Sequence, residues 1–128
     1  MLKRFRLGLA GLTAAVTAIA LAPAPAAAQD MNAQELYERG KALQQLGARA
    51  ILTADALIIR NEVEGAVRVA NARNDARRQP AYCLPAQGIG LSPKEMLATV
   101  EAVPAAERRK MTSAQLMTHV FTRKYPCR

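Results

Sequence analysis

The stretch Arg49–Asp75, RAILTADALIIRNEVEGAVRVANARND, decides the fold because its apolar residues repeat every three or four positions. This spacing is typical of an α-helix with one buried face. Ile51 and Ile58 widen that face, so we expect the N-terminal half of the helix to be buried more deeply than the rest. Gly65 costs about 1 kcal/mol inside a helix. It is either tolerated there or marks the close approach of a neighbouring helix. The repeating residues are Leu52, Ala56, Ile59, Val63, Val67 and Ala70.

A shorter helix is predicted before this stretch, over roughly Asn32–Leu46, with Gly47 as its stop. Asp30 or Asn32 supplies a side-chain oxygen that can cap its first turn. The mature chain contains no alternating strand pattern, hairpin turn pair or internal repeat. The sequence therefore predicts an all-α fold, a small bundle of four to five helices.

Two further helices begin at capping boxes. Ser92 is followed by Pro93 at the first helical position and by Glu95 three residues after the cap. Thr112 and Gln115 repeat the same arrangement. We expect these two helices to form an antiparallel pair at the C-terminal end of the chain.

The N-terminus has the pattern of a cleavable secretory signal. Basic residues up to Arg6 precede the apolar run Leu7–Ala22, and Ala26–Ala28 has the small-residue spacing of a cleavage site. We expect cleavage between Ala28 and Gln29, a signal over residues 1–28, a single domain over 29–128 and a periplasmic location. A membrane anchor is the alternative, but the apolar run is shorter than the roughly 20 residues that span a bilayer. No membrane association is expected after cleavage.

The charge balance is basic but does not favour nucleic acid. The chain carries a net charge of +8, from 18 basic and 10 acidic residues. Three of the basic residues lie in the predicted signal. No aromatic residues interleave with the remaining basic clusters, as base stacking would require. Export also argues against a nucleic-acid partner, whereas an acidic protein partner fits this charge.

Two cysteines, Cys83 and Cys127, predict one disulfide in an exported domain. A disulfide between them would close a loop of about 45 residues and would stabilise the fold by about 4 kcal/mol in the chain-entropy model. A zinc site lacks ligands, because His119 is the only histidine. A nucleophilic pair of Cys83 and His119 can be drawn, but no third residue nearby would orient it. We expect no metal, no cofactor and no catalytic residue.

The segment from Tyr82 to Cys127 resembles the Rap1a/Tai family of small exported bacterial proteins. Cys83-Leu84-Pro85, a glycine-containing loop, the capped helix from Ser92 and the closing Tyr125-Pro126-Cys127 carry the resemblance. It implies an all-helical periplasmic immunity protein that occludes the active site of a peptidoglycan amidase effector of type VI secretion, and that performs no chemistry. It also implies homodimers, which some members form. Many members have a second cysteine pair, and this sequence has Gly40 and Asn61 roughly at those positions.

Two connections are the candidate contact surfaces for such a partner. The loop Gln87–Leu91 offers Gln87 and Ile89, and the connection Ala105–Lys110 offers the basic run Arg108, Arg109 and Lys110. Either connection could instead be an ordinary solvated turn. The second functional hypothesis is a general envelope or stress protein, acting as a chaperone or accessory subunit without a toxin partner. An enzyme ranks third, because the sequence lacks paired carboxylates and has a single histidine.

Overall fold

The structure, a computed structural model, describes residues 31–128, and these residues form helices and no strand. The helices are α1 (Ala33–Leu46), a 3₁₀ segment (Gly47–Leu52), α2 (Ala54–Asp75), α3 (Pro93–Glu101), α4 (Ala105–Arg108) and α5 (Ser113–Lys124). The all-α prediction is therefore confirmed. The predicted signal and its cleavage after Ala28 lie outside the described residues. Within residues 31–128, no single helix has the length and apolar character to cross a membrane. Only the segments Ala33–Leu52 and Ala54–Asp75 taken together are long and apolar enough, and they are bent by 107° relative to each other.

Helix starts follow the local capping chemistry. The Ser92 and Thr112 side chains accept hydrogen bonds from the backbone N–H groups of Glu95 and Gln115, and both reciprocal bonds are present. Asn32 caps α1 by accepting a bond of 2.9 Å from the Glu35 N–H. These contacts confirm both predicted capping boxes and choose Asn32 over Asp30 as the cap of α1.

The long second helix is shorter than predicted. Thr53 interrupts the expected span from Arg49, and α2 begins only at Ala54. The Thr53 hydroxyl donates to the Ala50 carbonyl at 2.7 Å and accepts from the Ala56 N–H at 3.2 Å. A threonine that bonds to nearby backbone groups competes with a continuous helix. The chain therefore bends at Thr53, which separates the 3₁₀ segment from α2.

The core lies where α2 packs against α5. The buried face of α2 includes Gly65, Ala66 and Ala70, whose small size lets the two helix backbones approach each other. From α5, the larger side chains of Leu116, Met117, Val120 and Phe121 fill the interior. Gly65 is buried, and its interpretation as a point of close approach stays a prediction.

A buried hydrogen bond fixes the register of this helix pair. The hydroxyl of Ser113, at the start of α5, donates to Glu62 Oε1 on α2 at 2.7 Å. Both side chains are buried, so loss of either one would leave the other without a hydrogen-bond partner and out of reach of water.

The segment after α2 is held against that helix by Asn74. The buried Asn74 side chain accepts from the Ala81 N–H at 2.7 Å and donates to the Tyr82 carbonyl at 2.9 Å. The Tyr82 ring is buried edge-on against Phe121, with the ring centroids 5.2 Å apart. Burial is the main reason that the pKa of the Tyr82 phenol is raised, and the nearby Asp75 carboxylate adds to it.

The predicted disulfide is present. Cys83 and Cys127 are joined, with their Cα atoms 5.0 Å apart, and the Cys83 N–H donates to the Tyr125 carbonyl at 2.9 Å. Lys124 Nζ at the end of α5 lies 3.1 Å from Glu95 Oε1 in the first turn of α3. The start of α3 therefore lies beside the end of α5, as the predicted antiparallel pairing requires.

Candidate functional site

The predicted loop is exposed but tied to the end of α5. Gln87 and Ile89 both lie on the surface. The loop turns at Gly88, which has φ of 95°, a conformation that favours glycine. The backbone N–H of Gly90 donates to the Tyr125 hydroxyl at 2.8 Å, which anchors the loop next to the disulfide. This loop presents one exposed apolar side chain at a fixed place on the molecule.

Arg108 was predicted to contact a partner, and this prediction is wrong. The residue is buried, with only 6 % of its surface exposed. Its Nε donates to Gln34 Oε1 at 2.7 Å, and its Nη1 donates to the carbonyls of Val100 and Val103. Its guanidinium carbon lies 4.1 Å from the centroid of the Tyr37 ring. Arg108 thus satisfies carbonyl groups at the C-terminal end of α3 and joins that end to α1.

The remaining predicted contact residues do not form one patch. Arg109 and Lys110 are exposed and lie just before the start of α5. Gln87 and Ile89 lie near its other end. The 12 residues of α5 correspond to roughly 18 Å at 1.5 Å per residue. The two sets therefore lie at opposite ends of α5.

A second polar cluster joins α1 to α3 around Tyr37. The Tyr37 hydroxyl donates to Glu101 Oε1 at 2.8 Å, and Lys41 Nζ donates to both groups at 3.0 Å. The hydrogen bonds from Tyr37 and then Lys41 lower the pKa of the Glu101 carboxyl. The hydrogen bonds to Tyr37 and then Glu101 raise the pKa of the Lys41 ammonium group. These side chains are bonded to one another and join α1 to the end of α3.

Within residues 31–128, the structure does not form the nucleophilic pair of Cys83 and His119 that the sequence allowed. Cys83 is bonded to Cys127, so the drawn nucleophilic pair with His119 has no free thiol. His119 lies on α5 and lines a surface groove. Across residues 31–128, no three of the His, Cys, Asp or Glu side chains gather in a group that could hold a metal.

A group of exposed apolar side chains around the bend at Thr53 was not predicted from the sequence. Ile51 and Leu52 are 81 % and 86 % exposed, so the expectation that the N-terminal half of the long helix is buried most deeply is wrong. The 3₁₀ segment and the bend carry these side chains away from the core. We call the large exposed side chains on both sides of this bend the apolar surface, and its members are Leu46, Ile51, Leu52, Leu57 and Ile58.

An apolar groove of about 450 Å³ lies between α1, α2 and α3, close in sequence to the apolar surface. Leu43 and Gly47 line it from the end of α1, and Ala50 lines it from the 3₁₀ segment that also carries Ile51 and Leu52. Ile59 and Val63 close the α2 side, and Met96 and Leu97 close the α3 side. The sequence does contain a pattern that could have indicated the apolar surface. Its apolar residues between Ile51 and Ile59 would occupy more than one side of a helix. Such a helix is normally covered by other protein.

Comparison with known proteins adds no further constraint: no family model, no curated protein and no solved structure matches the chain.

Proposed function

We propose that this chain is an exported protein-binding module of the immunity type, which recognises a protein partner through the apolar surface. The observation that carries the proposal is the cluster of five large exposed aliphatic side chains, Leu46, Ile51, Leu52, Leu57 and Ile58. Burying one such side chain completely stabilises a protein or complex by roughly 1.5–3 kcal/mol. A partner that covered several of them would gain enough to bind tightly.

The shape of the neighbouring groove supports a helical partner segment. Its lining is mostly apolar and comes from α1, the 3₁₀ segment, α2, α3 and α5, as in grooves that accept the apolar face of an amphipathic helix. Gly47 lines it without a side chain and faces open space, which leaves room for an inserted residue. Gln44 also lines the groove and offers a polar side chain that can orient the bound segment.

The resemblance of residues 82–127 to the Rap1a/Tai family supports one choice of partner, a peptidoglycan amidase. In this proposal the protein covers the cleft of the amidase and carries out no chemistry. The internal bonding of Arg108 moves the expected contact away from the basic connection and toward the apolar surface. The exposed loop at Gln87 and Ile89 remains a second contact candidate.

The same observation favours a second candidate function, an envelope chaperone. Such a protein also needs exposed apolar surface, but it binds many unfolded chains weakly instead of one folded partner. A third occupant of the surface is another copy of the chain, which would form a homodimer. Stoichiometry and partner identity separate these cases.

A variant pair tests the proposal. Ile51→Ser with Leu52→Ser removes two members of the apolar surface, whereas Leu84→Ser with Ile89→Ser removes two exposed aliphatic residues elsewhere. Each protein is used to capture partners from an envelope extract, and a captured amidase is assayed for hydrolysis of peptidoglycan. We expect the wild-type protein and the Leu84/Ile89 variant to inhibit one amidase at a 1:1 ratio. Because a central interface residue contributes about 2 kcal/mol, the Ile51/Leu52 variant should bind about thirtyfold more weakly or worse.

Three results would contradict the proposal. Inhibition that survives in the Ile51/Leu52 variant but is lost in the Leu84/Ile89 variant would place the contact at the loop. Prevention of aggregation of many unfolded proteins, with no amidase captured, would favour the chaperone. A homodimer in sedimentation that the Ile51/Leu52 changes dissociate would show that a second copy occupies the surface.

A further inference from the structure

A second groove, of about 750 Å³, lies between α2 and α5 and shares no residue with the apolar groove. One wall is a face of α2 with Arg73, Asn74 and Arg77. The other wall is a face of α5 with Thr118, His119 and Thr122, preceded by Lys110. Residues three or four positions apart lie on the same side of a helix, so each wall presents its side chains to the same space.

The charge of this groove has one sign. Three cationic side chains line it, Arg73, Arg77 and Lys110, together with His119, and none of the lining residues is acidic. In the part of the chain that the structure describes, the ion pairs involve Arg39, Lys41, Arg60 and Lys124 and none of these three cations. Cations that converge on one groove without a counter-charge repel each other, and a bound anion would relieve that repulsion.

The size of the groove indicates more than a single small ion. Ligand pockets measure about 300–1,000 Å³, whereas one water molecule occupies about 30 Å³. Cations stand on both walls, so one bound segment can meet several of them. No Phe, Tyr or Trp side chain lines the groove, which disfavours stacking of nucleic-acid bases.

We propose that the groove between α2 and α5 binds an acidic peptide segment of a protein partner, whose carboxylates pair with Arg73, Arg77 and Lys110. Asn74 keeps the groove wall in place, because its side chain is already bonded to the backbone of Ala81 and Tyr82. Because cations line both walls, an acidic segment that lies along the groove can pair with more than one of them. This site goes beyond the apolar surface and is independent of the partner that binds there.

The test uses the purified protein and a fluorescein-labelled peptide of alternating glutamate and alanine, followed by fluorescence anisotropy. The same peptide with glutamine in place of glutamate is the matched ligand. We expect the glutamate peptide alone to bind, and to bind more weakly as the salt concentration rises. Arg73→Gln with Arg77→Gln should weaken binding at least about tenfold, as expected for loss of charged hydrogen bonds.

A control variant separates the groove from net charge. Arg68→Gln with Lys94→Gln removes the same two charges at exposed positions that do not line the groove. Its affinity should stay within about twofold of the wild-type value, because neither side chain lines the groove and exposed charges are partly screened at 0.1 M salt. The Ile51/Leu52 variant should bind the peptide as the wild-type protein does, so this result is separable from the test of the apolar surface.

A measurement on the wild-type protein covers the case in which the Arg73/Arg77 variant does not fold. The imidazole resonances of His119, the single histidine, should shift as the glutamate peptide is added. Equal losses of affinity in both charge variants, equal binding of the glutamine peptide, or unmoved His119 resonances would each overturn the proposal. Inorganic tripolyphosphate binding more tightly than the peptide would assign the groove to small polyanions and would also overturn it.

Discussion

At the scale of single residues, Arg108 has the clearest structural role. A buried guanidinium is tolerated only where its donors meet acceptors, and here they meet Gln34 and two carbonyl groups of the α3 end. The Tyr37 ring covers its face. The residue therefore contributes to stability at the junction of α1, α3 and α4 and is not available to a partner.

Arg108→Ala is expected to destabilise the protein by about 2–4 kcal/mol, because it leaves buried carbonyl groups without donors and removes packing on Tyr37. The free energy of unfolding in urea measures this change. Arg109→Ala, at the exposed neighbouring position, is the control and should change stability by less than about 0.5 kcal/mol. Equal effects of the two changes would show that the bonds of Arg108 contribute nothing.

The sequence could not predict this role. It showed three consecutive basic residues, Arg108–Lys110, which differ little in local context. What distinguishes Arg108 is a partner 74 residues earlier in the chain, Gln34. Such a contact depends on how α1 and α3 pack, and periodicity does not contain that information.

At the scale of helices, the features set by neighbouring residues were predictable. Each of the capping boxes at Ser92 and Thr112 is predicted from four consecutive residues, and both helices begin where those residues predict. The bend at Thr53 was missed, because threonine is compatible with either a helix interior or a cap. The exposure of Ile51 and Leu52 follows from that bend, so the periodicity correctly found apolar residues and wrongly predicted their burial.

The contact between α2 and α5 depends on small side chains. Ala66 is fully buried on α2, and we expect Ala66→Leu to force the helices apart and destabilise the protein by about 1–3 kcal/mol. Thermal unfolding followed by circular dichroism measures the effect. Ala72→Leu, on the exposed side of the same helix, should leave the melting temperature nearly unchanged. A melting temperature unaffected by Ala66→Leu would mean that the interface has unfilled space.

At the scale of the whole molecule, one covalent bond joins the segment after α2 to the end of α5. The all-α fold class and this Cys83–Cys127 bond could be predicted from the sequence. The positions of the apolar surface and of the cationic groove could not, because each is formed by residues from separate helices that only the packed structure brings together.

Replacing both cysteines, Cys83→Ala with Cys127→Ala, should lower the free energy of unfolding by about 4 kcal/mol, as the chain-entropy model gives for a loop of this length. Urea denaturation of the oxidised wild-type protein and the double variant measures the difference. Reduction of the wild-type protein is the parallel control and should give the same loss. An unchanged midpoint in both cases would mean that noncovalent packing alone already restricts the ends of this segment.

Because the two sulfur atoms close residues 83–127 into a ring, one protease cut inside that ring yields two pieces that stay linked. The exposed turn at Gln87 and Gly88 lies inside it, while the apolar bend at Thr53 lies outside. A nick at the turn would keep α5 attached to the rest of the protein, whereas a nick at the bend would leave α1 held by noncovalent contacts alone.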